Sequence, residues 1–142
     1  MSTSPDHLVA TYLRALTTAD AELVVGLFSA DGIVHSPLYG PQRAPDFYPA
    51  LFADTSRANL TLKSVMSGVD QNGATTVSFW FHFDWRLPSG TAAPFDVVDV
   101  ATLATDGKIK ELHIIYDTVE VRPVFEADVG RSSWRGSTSS SP

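Results

Sequence analysis

Apolar positions recur every three to four residues in the first part of the chain and every second residue in the rest. The sequence therefore predicts helices first and strands afterwards. Ser4-Pro5-Asp6 has the form of a helix start, with Ser4 as N-cap and Pro5 at the first helical position. Leu8, Tyr12, Ala15, Leu16 and Ala19 follow on one helical face. Asp20 caps a second, short helix, whose buried stripe is Leu23, Val24, Leu27 and Phe28 and which ends at Ala30-Asp31-Gly32. Ile33 to Pro37 reads as a short strand, and Leu38-Tyr39-Gly40-Pro41 as a loop. In the third helix Pro49 is tolerated if Asp46 is the N-cap, since the third helical position needs no intrahelical N–H. Phe47 and Leu51 then form a staple, and Phe52 points inward.

From Asn59 onward the period is two. Leu60 to Ser67 alternates, Asp70-Gln-Asn-Gly73 is a hairpin turn, and Ala74 to Leu87 is a long strand. One face of that strand carries Phe79, Phe81, Phe83 and Trp85. The other carries Trp80, His82, Asp84 and Arg86. Pro88-Ser-Gly90 turns the chain into Phe95 to Ala104, and Asp106-Gly107 turns it again into Lys108 to Glu120. On this last strand Leu112, Ile114 and Tyr116 share one face, with Glu111, His113, Ile115 and Asp117 on the other. Sequential strands joined by turns predict an antiparallel meander, with the helices covering one face of it.

Two polar groups break this pattern. Phe95, Val97, Asp99, Ala101 and Leu103 share a strand face, so Asp99 is the one carboxyl on an apolar face. Loss of hydration favours its neutral form and raises its pKa; a neutral acid can donate a hydrogen bond, and an ionised one can act as a base. The alternative is an edge or interface aspartate with a polar partner. Tyr12 is the one residue of the first helical stripe with a polar tip. Buried, its hydroxyl needs an interior partner; at a boundary it reaches water.

Composition narrows the rest. The 142 residues suffice for one domain. It is expected over residues 5–122, with 123–142 as a C-terminal extension whose Ser-rich end, from about 131, is expected to be disordered. The net charge of −6 argues against a nucleic-acid partner. No apolar run is long enough to span a membrane and no leader pattern precedes the first helix, so no membrane partner and a cytoplasmic location are expected. The absence of cysteine excludes disulfides and thiolate chemistry. His7, His35, His82 and His113 form no close pair along the chain, so a metal site could arise only across strands and none is expected.

The order α-α-β-α-β-β-β-β resembles nuclear transport factor 2 and its relatives, among them ketosteroid isomerase, the SnoaL-like polyketide cyclases and limonene epoxide hydrolase. The resemblance rests on Tyr12-Leu-Arg-Ala-Leu-Thr-Thr-Ala-Asp20, Leu27-Phe-Ser-Ala-Asp31, Val34-His-Ser-Pro37, Phe95-Asp-Val-Val-Asp-Val100 and Asp106-Gly-Lys-Ile109. It implies an α+β, cone-shaped fold of three N-terminal helices on a strongly curved, mostly antiparallel sheet. In ketosteroid isomerase a tyrosine and a protonated aspartic acid hold the dienolate oxygen, a case long used to illustrate a neutral carboxyl. They fall on Tyr12 and Asp99, which the resemblance makes the catalytic pair.

It further implies an apolar, polyketide- or steroid-like carbonyl substrate, isomerised or cyclised without a cofactor, because enolisation and aldol closure need only proton transfer. Phe79, Phe81, Phe83, Trp85, Val97, Leu112, Ile114 and Tyr116 would line the pocket, with Ser36 and Phe52 as further contacts. Ser36 stands where the isomerase has its carboxylate base, and a serine is not a base at neutral pH without help. Arg86 and Asp84 face away from Asp99, so the Asp–Arg–Asp set of the epoxide hydrolase is not formed. The outer sheet face, with Trp80, His82, Arg86 and His113, is implied to join two copies in a homodimer. The alternative function is a non-catalytic module that binds an apolar ligand or serves dimerisation.

Overall fold

The protein is described by a computed structural model covering residues 4–136. Helix α1 spans Pro5–Thr18, and the Ser4 hydroxyl accepts from the His7 N–H at 3.1 Å. Helix α2, Ala21–Val25, is capped by Asp20 as expected. It is shorter than its apolar stripe predicts, because Phe28 already opens strand β1, Phe28–Ser36. Strand β2, Gly40–Arg43, returns on β1 as an edge hairpin where a loop was expected. Its sequence Gly-Pro-Gln-Arg has no strand preference, and an edge tolerates proline because its missing donor faces away from the ladder.

Helix α3 runs from Ala44 to Ala53 with Arg43, not Asp46, at its N-cap. Pro49 therefore lies inside the helix, with its ring exposed. In this helix Phe47, Tyr48 and Leu51 are buried and Phe52 is only half-buried. Burial of three large apolar side chains, each contributing about 1.5–3 kcal/mol, offsets the missing backbone bond.

Strands β3 (Arg57–Val69), β4 (Thr75–Arg86), β5 (Phe95–Leu103) and β6 (Ile109–Ile115) form the expected antiparallel meander. Strand β1 adds to β6 in parallel, giving one six-stranded mixed sheet in the order β2-β1-β6-β5-β4-β3. Register shifts in β1, β3 and between β5 and β6 bend the sheet, since a bulged strand curves and twists more strongly. Its concave face carries Val77, Phe79, Phe81, Phe83 and Trp85 from β4, all buried against the helices. Helix α1 packs on β3 and α3 on β1 and β2, so the helices close that face.

The C-terminal extension departs from expectation. Residues 121–129 form helix α4, Val121–Val129, with Val121 and Phe125 buried. The segment beyond it is anchored up to Gly136 rather than disordered from 131. Arg122 donates to Ser133 Oγ at 2.6 Å, the Trp134 carbonyl at 2.7 Å and the Pro37 carbonyl at 3.2 Å. The Trp134 N–H donates to the Leu38 carbonyl at 2.8 Å, and its ring covers Gly40, where a Cβ would sit 2.8 Å from the ring. The rest of the expected disordered tail, 137–142, lies outside the described residues. No helix among the described residues is long and apolar enough to cross a membrane.

Candidate active site

Between the concave face and the helices lies a cleft of about 420 Å³ counted out to its open mouth. Large aromatic side chains crowd it from both sides, so the cleft is a narrow slot. Alternation on β4 and β5 delivers Phe81, Phe83, Val97 and Asp99 to its wall, and β6 with its extension delivers Ile114 and Tyr116. Helix α1 contributes Tyr12 and β1 contributes Ser36.

Three of the residues expected to line it do not. Phe79 sits beneath the slot, opposite Asp99 in register and edge-on to Tyr12 with ring centres 5.3 Å apart. Leu112 is fully buried further along the sheet, opposite Ala101. Phe52 packs on Tyr48 outside the slot, and α3 contributes Phe47 and Leu51 to the wall instead. The reading of the sequence also missed Tyr39, which the β1–β2 hairpin carries into the wall. The turn signal of Pro37 and Gly40 was the available cue. Phe95 completes the wall, stacked on Tyr116 with centres 4.0 Å apart.

Asp99 is 1 % exposed, and its Oδ1 has no hydrogen-bond partner among the described residues. Desolvation pushes its pKa from the usual 3.8 up to about 8, against a smaller lowering by the nearby Tyr12 hydroxyl. At pH 7 its neutral form therefore predominates. It is the one carboxyl group among the lining residues.

The Tyr12 hydroxyl is hydrogen-bonded to that of Tyr48 at 2.9 Å. Burial holds both phenols well above the ordinary tyrosine value, so both keep their protons. Either phenol can be the donor in that bond; with Tyr48 donating, the Tyr12 proton is directed to the neighbouring Asp99 carboxyl or to a ligand oxygen. Tyr39 donates to Asp54 at 2.6 Å, and Arg131 grips the same Asp54 oxygen at 2.6 Å. This ties the slot wall to the C-terminal segment.

Ser36 faces the slot, but its Oγ accepts from the backbone N–H groups of Leu38 and Tyr39, both at 3.2 Å. It caps a turn, and both of these bonds come from the backbone. His35 points to the other side of the sheet, as expected from alternation. There it does form a close pair that the sequence did not reveal: its ring stacks on His113 with centres 4.2 Å apart. Arg86 contacts Asp84 at 3.3 Å, on the face opposite Asp99.

The SnoaL-like domain model matches residues 9–112 of the chain. No curated protein matches it by sequence. Among solved structures, the chain resembles the epoxide hydrolase/cyclase-like enzyme SalBIII of pyran ring formation in the polyether salinomycin. That likeness has 17 % identity and a TM-score of 0.66 over 82 % of this chain and 92 % of the other. Delta 5-3-ketosteroid isomerase from Mycobacterium sp. gives 15 % identity and a TM-score of 0.66 over 83 % and 97 %. A hypothetical protein of ketosteroid isomerase-like fold from Catenulispora acidiphila gives 16 % identity and a TM-score of 0.70 over 91 % and 95 %. At these identities the likenesses speak for the fold.

Proposed function

The chain belongs to the SnoaL-like domain family, and on that premise we propose that it is an acid–base enzyme that isomerises or cyclises a flat, apolar carbonyl compound. The observation that carries this reading is Asp99: a fully buried carboxyl, mostly neutral at pH 7, with an unpaired oxygen in an aromatic slot. A buried polar atom left unpaired costs about 1–3 kcal/mol, a cost that a ligand oxygen accepting its proton would recover. Neutral Asp99 and the Tyr12 hydroxyl act as two donors toward a carbonyl oxygen. Charge that develops on that oxygen in an enol or enolate is stabilised most, because the donors are already in place within a slot walled by apolar side chains.

With a pKa of about 8, Asp99 is also matched to giving and taking a proton near neutrality. As the one lining carboxyl group it is suited to a reaction that needs a single acid/base, such as an intramolecular aldol closure. The narrowness of the slot and its walls of Phe81, Phe83, Trp85 and Phe95 favour a planar, conjugated substrate.

A second reading, ligand binding without turnover, is favoured by Ser36, which stands at the family's base position and is occupied as a turn cap.

Substituted phenols, as mimics of an enolate, test the first reading. Tyr12→Phe and Asp99→Leu should each weaken phenol binding by about 1–3 kcal/mol, which is roughly 5- to 150-fold. Equal affinity for all three proteins, or none for the wild type, removes the oxyanion site. The two readings separate on an enolisable ketone in deuterated water: proton exchange that Asp99→Asn abolishes while binding persists marks the enzyme. Binding with no exchange marks the module.

A further inference from the structure

Behind Ser36, on the convex face of the sheet, strands β1 and β6 run parallel with Ile33 opposite Glu111 and His35 opposite His113. Residues two apart on a strand share a face, so Glu111 and His113 stand together on β6 with His35 beside them on β1. The two imidazole rings stack 5° from parallel, and His35 Nε2 lies 3.0 Å from Glu111 Oε2. One donor atom from each of the three side chains lies within 4.8 Å of the others.

We propose that His35, Glu111 and His113 form a binding site for a divalent transition-metal ion of the zinc type. The donor set decides the class of ion. Two imidazoles and one carboxylate suit Zn²⁺ and its first-row neighbours, whereas Ca²⁺ and Mg²⁺ favour sites built from oxygen alone. Three protein donors leave at least one coordination position for water.

The distances are within reach. Ligand atoms about 2.0–2.1 Å from a tetrahedral ion are about 3.3 Å apart, so the widest pair has to close by at most about 1.5 Å. Rotation of the side chains supplies that without moving the strands. The strands are hydrogen-bonded to each other at fixed spacing, so the backbone positions from which the three donors project are set before the ion arrives. His35 and Glu111 are half-buried and His113 is exposed, so the ion can enter from solvent. The Glu111 carboxylate, paired with His35 in the free protein, turns its oxygen to the ion and offsets part of its charge. The site is separated from the slot by the sheet, and it does not depend on the chemistry proposed for Asp99. It would clamp the one parallel strand pair of the sheet, at the strand that carries Ser36.

The test uses the full chain without an affinity tag, stripped of metal by a chelator that is then removed. Titration with Co²⁺ should load one ion per chain, with visible d–d bands unlike those of aqueous Co²⁺, and Zn²⁺ should displace it. His35→Gln, Glu111→Gln and His113→Gln should each weaken binding at least as much as loss of an outer-shell partner does, about ten- to a hundredfold. His82→Gln should bind as the wild type does. In the unmodified protein, Zn²⁺ should shift the imidazole proton resonances of His35 and His113 and leave those of His7 and His82 in place, a readout that needs no variant to fold. A Co²⁺ spectrum identical to the aqueous ion, or shifts at His7 and His82 alone, overturns the proposal.

Discussion

At the scale of the residue, Asp99 concentrates the argument, because its burial has a consequence for stability as well as chemistry. Its folded-state pKa is about 8, against about 3.9 in an unfolded chain. Between these values the folded protein holds a proton that the unfolded chain has released. Stability must therefore fall as pH rises from about 4 to about 8, where the whole penalty is felt. The shift corresponds to about 6 kcal/mol at most. Asp99→Asn cannot ionise and lacks this penalty. In urea melts from pH 4 to 9, the stability of the variant relative to the wild type should grow with pH and level off above about 8. Groups common to both proteins cancel in the difference. A difference that stays flat over this range would show that Asp99 is ionised in the folded state throughout. The same titration sets activity: if the neutral acid is the working form, turnover declines above about pH 8, and if the carboxylate is the base, it rises. Asp99 and Tyr12 were legible in the sequence because each interrupts a periodic apolar face, and burial of both follows from that face. Tyr48 and Tyr39 were not. Tyr48 reaches Tyr12 from 36 residues away, and no local pattern encodes a contact of that range.

At the scale of the element, the meander was legible from alternation and turn residues, and the errors fall where tertiary contacts outweigh local preference. Strand β2 exists because β1 offers it an edge, and helix α4 because Val121 and Phe125 find the core. Helix α3 shows the conflict most clearly. The local rule for proline places the helix start at Asp46. Burial of Phe47, Tyr48 and Leu51 places it at Ala44 and leaves Pro49 inside, without a donor for the Pro45 carbonyl. An interior proline costs about 3 kcal/mol relative to alanine, less the entropy it removes from the unfolded chain, about 0.4–1 kcal/mol. Pro49 is exposed, so its ring contributes little packing. Pro49→Ala should therefore raise stability by about 2–2.5 kcal/mol, seen as a higher denaturation midpoint with an unchanged m-value. A loss of stability would mean that α3 begins nearer the position the sequence alone predicts.

At the scale of the molecule, the two faces of the sheet differ in what covers them. Helices cover the concave face, while the convex one carries an apolar row that no described element covers. Trp80, Val98 and Ile115 are in register across β4, β5 and β6. Trp80 is 41 % and Ile115 57 % exposed. A sheet face that meets water normally carries polar side chains at such positions. Polar groups border the row on both sides, the His82–Asp96 pair at 2.9 Å on one and His113 with His35 on the other. An apolar centre with a polar rim is the anatomy of a protein interface, and an aromatic such as Trp80 is the usual anchor. We propose that the occupant is a second copy of the chain, related by a twofold axis so that the row meets itself. Sedimentation at micromolar concentration should then give a dimer. Trp80→Glu would place a carboxylate against its own symmetry mate and should yield a folded monomer. Because the slot opens on the opposite side of the sheet, that monomer should bind phenols as the wild type does, and with His35, Glu111 and His113 intact it should still take up Co²⁺. A wild-type protein that sediments as a monomer would leave the row without a second copy to cover it.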